Sequence, residues 1–83
     1  MVTIHRERGF EVILYPGDRE HTPPHVHVFY GDEEVNIGLG DEDTAPWIRE
    51  VLEMRKPNVR RALEIVEENQ ESFLAIWRKY HGA

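Results

Sequence analysis

The stretch Pro23-Pro24-His25-Val26-His27-Val28-Phe29-Tyr30-Gly31-Asp32-Glu33-Glu34-Val35-Asn36-Ile37-Gly38-Leu39 decides the fold. Two prolines stop a helix and fix an extended approach to the histidines. The alternation after them puts His25, His27 and Phe29 on one face of a strand and Val26 and Val28 on the other. Gly31-Asp32 suits a two-residue hairpin turn, because glycine tolerates positive φ. With Tyr30 opposite Glu33, Val28 meets Val35 and Val26 meets Ile37, while His27 meets Asn36 and His25 meets Gly38. Every apolar residue finds an apolar partner, so Val26, Val28, Val35, Ile37 and Leu39 form the core face.

Working outward, Phe10 to Tyr15 reads as a further strand, closed by Pro16-Gly17-Asp18. From Asn58, read as an N-cap, to Gly82, read as a C-terminal stop, the pattern is helical. Val59, Leu63, Val66, Phe73, Trp77 and Tyr80 keep a spacing of three and four, with Gln70 in the missing position. An unbroken helix of this length runs about 33 Å, whereas six-residue strands reach only about 20 Å. The mismatch calls for a break near Asn69-Gln70-Glu71-Ser72, or for a projecting second half. Trp47 to Met54 stays open between a short helix, which Thr44 and Pro46 would start, and a fourth strand ending before Pro57. The expectation is an α+β domain over residues 1–83: a small antiparallel sheet of three or four strands packed against a long C-terminal helix.

Composition narrows the classes. A chain of 83 residues with 40% hydrophobic and 31% charged residues is ordinary for one globular domain. The absence of cysteine excludes disulfides and thiolate metal sites and suits a reducing cytoplasm. No apolar run approaches the roughly 18 residues of a membrane span, and the N-terminal residues lack a signal peptide's apolar stretch. A cytoplasmic protein without membrane contact is expected. The net charge of -6 opposes nonspecific nucleic-acid binding by the whole surface.

His25 and His27, with His21 upstream, are the candidate catalytic residues. Side by side on one face, they can divide general acid and base work or share a metal; the competing reading is a wet sheet face. The local sequence offers no third strong ligand, so no metal or cofactor is assigned. Asp41-Glu42-Asp43 matches no calcium loop. Arg60 and Arg61, with Arg55 and Lys56, gather at the expected start of the helix. They are a candidate anion site or a counterweight to nearby acids. Phe73, Trp77 and Tyr80 are candidate partner-binding anchors on the distal helix, with the core as the competing destination.

The strand ending in Tyr15, the His21-Thr22-Pro23-Pro24-His25-Val26-His27-Val28 block, the Gly31-Asp32 hairpin and the tail Ile65-Val66-Glu67-Glu68-Asn69-Gln70-Glu71 leading to Trp77 resemble a small bacterial family. It is known as domain of unknown function 4160, and the resemblance spans roughly residues 9 to 82. It implies a single α+β domain in a bacterial cytoplasm. Members of that family are often encoded beside another short protein, and some are described as toxin–antitoxin components. The leading expectation is therefore a regulatory or interaction component of a toxin–antitoxin-like pair. Its partner is a protein encoded nearby or a second copy of the chain. The alternative is a metal-independent ribonuclease acting on RNA through His25 and His27, with Arg60 or Arg61 holding phosphate. A metal-binding module ranks third.

Overall fold

The hairpin forms in the expected register. In the computed structural model, which describes residues 1–16 and 23–81, His25 pairs with Gly38, Val26 with Ile37, Val28 with Val35 and Tyr30 with Glu33. The sheet has five strands: β1 (Val2–Glu7), β2 (Phe10–Leu14), β3 (His25–Tyr30), β4 (Glu33–Gly38) and β5 (Trp47–Leu52). They lie antiparallel in chain order, with β1 and β5 at the edges. Two helices complete the fold, α1 (Lys56–Glu68) and α2 (Gln70–His81). Gly17, Asp18, His21 and Gly82, each of which carries an expectation above, lie outside the described residues.

Three or four strands are expected, and the described residues form five. The additional strand, β1, pairs with β2 through a turn in which Arg8 and Gly9 both take positive φ, 50° and 87°. A register shift between Thr3 and His5 breaks its alternation, which hides a strand of mixed polarity from a period-two search. The open segment at Trp47 resolves as a strand, and Glu53, at φ 62°, ends it. Trp47 pairs with Gly38, and a Cβ at Gly38 would come within 2.5 Å of three atoms of its ring. The space that glycine leaves on the histidine face is thus filled by indole.

The single long helix is corrected to two, of 13 and 12 residues, each matched in length to the strands beneath. The break is at Asn69, whose side-chain amide donates to the Ile65 carbonyl at 2.7 Å and whose backbone N–H donates to Val66. Asn69 then offers its own carbonyl to the Phe73 N–H at 2.9 Å, so one residue ends α1 and starts α2. Both helices cover the valine face. Val12, Leu14, Val26, Val28, Val35, Ile37 and Leu39 from the sheet side enclose Ala62, Ile65, Val66, Phe73, Leu74 and Trp77.

Asn58 is not the N-cap. The helix begins three residues earlier, with Arg55 in the capping position and no side-chain cap of its own. Glu33, at the start of β4, supplies the cap instead. One carboxylate oxygen accepts from the Arg55 backbone N–H at 3.2 Å and from the Asn58 side chain at 3.0 Å. These hydrogen bonds, Asn58 first, and the Arg55 charge hold the Glu33 carboxyl below its ordinary value, against partial burial. Such a group contributes stability above its unfolded pKa, and the contribution is lost as pH falls through the lowered folded value. Glu33→Gln should therefore lower the melting temperature most near neutral pH, and its difference from the native chain should narrow below about pH 4 in a pH series of thermal melts.

Gln70 explains the gap in the apolar stripe. Its Nε2 donates to the carbonyls of Leu39 at 2.8 Å, Thr44 at 2.9 Å and Asp41 at 3.1 Å. One amide at the start of α2 therefore gathers the loop between β4 and β5. Gln70→Leu should destabilise by about 1 kcal/mol, read by denaturant titration, because apolar replacement leaves the partly buried Leu39 carbonyl without its donor. The Asp41 and Thr44 carbonyls keep their backbone partners. Glu67→Ala, on the exposed side of α1, should change stability by less than about 0.5 kcal/mol.

Candidate functional site

The pleat that buries Val26 and Val28 turns His25 and His27 to the face the helices leave uncovered. Their ring centroids are 5.3 Å apart. His27 Nδ1 lies 3.0 Å from Glu34 Oε2, with both side chains about four-fifths buried. A carboxylate only accepts, so Nδ1 carries the proton and Nε2 is the basic nitrogen of the neutral ring. His25 Nδ1 meets the Pro23 carbonyl at 3.0 Å and takes the same tautomer for the same reason.

Glu34 escaped the sequence reading because it lies diagonally from His27, while Asn36 lies directly opposite. The signal was present: Glu34, Asn36 and Gly38 share a face by alternation. Asn36 Oδ1 is buried and has no hydrogen-bond partner among the described residues.

Around the histidines the rings continue. The Tyr15 ring stands edge-on to His27 at 4.6 Å, and the Trp77 ring lies 5.4 Å from His25. His81 stacks on Trp77 at 3.5 Å, nearly parallel, and its Nδ1 donates to the Trp77 carbonyl. Five rings thus run from the end of β2 to the end of α2.

A histidine oriented by a carboxylate is the minimum equipment for proton transfer. The anion site expected beside it is not assembled. Arg60 and Arg61 stand on α1, which packs on the opposite face of the sheet. They also diverge: Arg60 lines a hollow with Lys56, while Arg61 lines another with Glu7, Arg8 and Glu64. Among the described residues, no group of three His, Asp or Glu side chains is arranged to hold a metal ion.

The expected partner anchors divide. Phe73 and Trp77 are 1% and 7% exposed and belong to the core, whereas Tyr80 is exposed. An uncovered apolar surface occurs elsewhere, at the β5 edge, where Trp47, Val51 and Leu52 are all exposed. Beside it Ile48, Val51, Met54, Val59 and Leu63 line a groove of about 510 Å³ between β5 and α1. Lys56 and Arg60 line the same groove and form no ion pair among the described residues. Also among the described residues, no helix is long and apolar enough to cross a membrane.

The sequence model of a domain of unknown function (DUF4160) matches residues 9–78, and the chain belongs to that family. No curated protein and no solved structure matches the chain.

The burial of Trp77 sets an expectation for mutation. Trp77→Ala should cost about 3–5 kcal/mol of folding stability by removing a large core side chain. Tyr80→Ala should cost less than about 1 kcal/mol. Urea titration of the two variants checks the ordering, and equal losses would show that Trp77 does not act as a core residue.

Proposed function

We propose that this DUF4160 member is a small interaction component, one half of a toxin–antitoxin-like pair in the bacterial cytoplasm, that works by docking through the β5 edge and the groove beside it. The observation that carries the reading is the open edge itself. An edge strand presents unpaired backbone donors and acceptors, and here it also exposes Trp47, Val51 and Leu52. Trp is among the residues that dominate interface energies, and apolar neighbours around it exclude water. The setting comes from the family resemblance and from the chain's lack of cysteine.

A second reading, a histidine-dependent, metal-independent ribonuclease, draws support from the His27–Glu34 contact. Among the described residues the expected phosphate holders do not reach it: Arg60 and Arg61 belong to the other side of the sheet, and Arg6, on the histidine side, is paired with Glu11.

The two readings give opposite orders. Val51→Glu, confirmed folded by circular dichroism, should weaken association at least about tenfold by placing a carboxylate in the apolar groove. Association is measured by sedimentation and by titration against the protein encoded beside it. Folded His27→Ala should retain association. A folded His27→Ala chain that keeps its association yet loses all cellular effect would overturn docking as the function.

A further inference from the structure

The strand β5 has a property that an ordinary edge lacks. Its sequence, Trp47-Ile48-Arg49-Glu50-Val51-Leu52, is complementary to itself when run backwards. Placing Arg49 opposite Glu50 of a second copy also places Ile48 opposite Val51 and Trp47 opposite Leu52. Each relation occurs twice about a two-fold axis, giving two opposite-charge pairs and four apolar pairs.

Matching residue types is not enough, because residues facing one another across two strands must also point to the same side of the sheet. In a regular strand Ile48 and Val51, three positions apart, point to opposite sides. The irregularity in the β4–β5 register removes the conflict. Asn36 pairs with Glu50 but Ile37 pairs with Ile48, so Arg49 is an extra residue. Ile48 and Val51, opposite Ile37 and Val35, therefore share the helix side. Trp47, Glu50 and Leu52, opposite Gly38, Asn36 and Glu34, share the histidine side. For Ile48 with Val51 and for Trp47 with Leu52 the sides therefore match in both directions, as a strand pairing with its own copy around an axis perpendicular to the sheet requires. The extra residue Arg49 completes the pattern when it turns to the side of Glu50.

The side chains involved are available. Arg49 and Glu50 are exposed, and neither forms an ion pair among the described residues. The opposite edge offers no such match: on β1, Arg6 is engaged with Glu11 and His5 with Glu7. Pairing at β5 would also bring the two β5–α1 grooves together on one side of a continuous sheet, with Ile48 and Val51 of each copy at the junction.

We propose that the occupant of the β5 edge is a second copy of this chain, joined antiparallel through β5 with Arg49 facing the other copy's Glu50, so that two five-stranded sheets become one. The proposal rests on the reading of β5 as the docking surface and names its partner.

Charge exchange tests it. The native chain should sediment as a dimer. Arg49→Glu places two acids opposite each other and Glu50→Arg two bases, so each variant alone should dimerise at least about tenfold more weakly. Mixed in equal amounts, they should restore the dimer, because one chain's two acids then face the other's two bases. The double variant Arg49→Glu/Glu50→Arg should dimerise by itself. All four positions of the pairs are exposed, and circular dichroism confirms that each variant is folded. A native chain that stays monomeric up to about 1 mM overturns the proposal. So does a dimer that both single variants leave unchanged, or a mixture that fails to recover it. A monomeric chain that binds the co-encoded protein, and loses that binding in Val51→Glu, overturns the second copy while leaving the docking reading intact. A monomeric chain whose binding to that protein ignores Val51 overturns both.

Discussion

The facing of Val26 by Ile37 and of Val28 by Val35 is the constraint on which the remaining structure depends. All four side chains are fully buried, so a slip of one residue between β3 and β4 would move the whole set to the uncovered face. Because the pleat alternates, fixing the valines inward fixes His25, His27 and Glu34 outward. The His27–Glu34 contact is therefore a consequence of core packing as much as of its own hydrogen bond. The same pairing seats Glu33 at the first position of β4, where its carboxylate reaches the start of α1.

Covering that face imposes the second constraint. A straight helix is too long for strands of five or six residues, and Asn69 divides it into two pieces of suitable length. Gln70 then occupies an inward position that an apolar residue would otherwise hold. Its amide carries two N–H donors against three carbonyl acceptors, so at least one hydrogen is shared. The polar residue interrupting the stripe is where helix and sheet are tied together. The loop it gathers leads directly into β5, so this tie also positions the edge strand.

What the sequence made legible was whatever obeyed a local period. The β3–β4 register comes from alternation plus one turn, and the helix break from comparing two lengths. The missing pieces each violate a period or act across distance. β1 carries a bulge and a turn with Arg8, not asparagine, at positive φ. Glu33 reaches Arg55 and Asn58 from more than twenty positions away, and a local search assigns the cap to Asn58 instead. Helical spacing cannot say whether Phe73 and Trp77 meet a partner or their own sheet. That choice was settled by the presence of five strands, which make a sheet broad enough for both helices. Of the candidate site, the two histidines were legible and the carboxylate behind His27 was not, since only a fixed register distinguishes a diagonal neighbour from a direct one.

The ring sequence from Tyr15 through His27, His25 and Trp77 to His81 gives the histidines a structural role that needs no substrate. Trp77 contributes to the core and at the same time touches His25, which faces the other side of the sheet, so contact between the two faces passes around the start of β3. A sheet covered on one face by helices is least well closed where its strands begin and the last helix ends. Five stacked and edge-on rings lie at that margin. Two of the side chains are further held by carbonyls, His25 by Pro23 and His81 by Trp77. The prolines before His25 serve the same end, because they fix the backbone from which the Pro23 carbonyl receives the imidazole. A motif that reads as chemistry in one dimension thus also has an architectural account in three: its rings and carbonyl contacts close the margin between the sheet and the last helix.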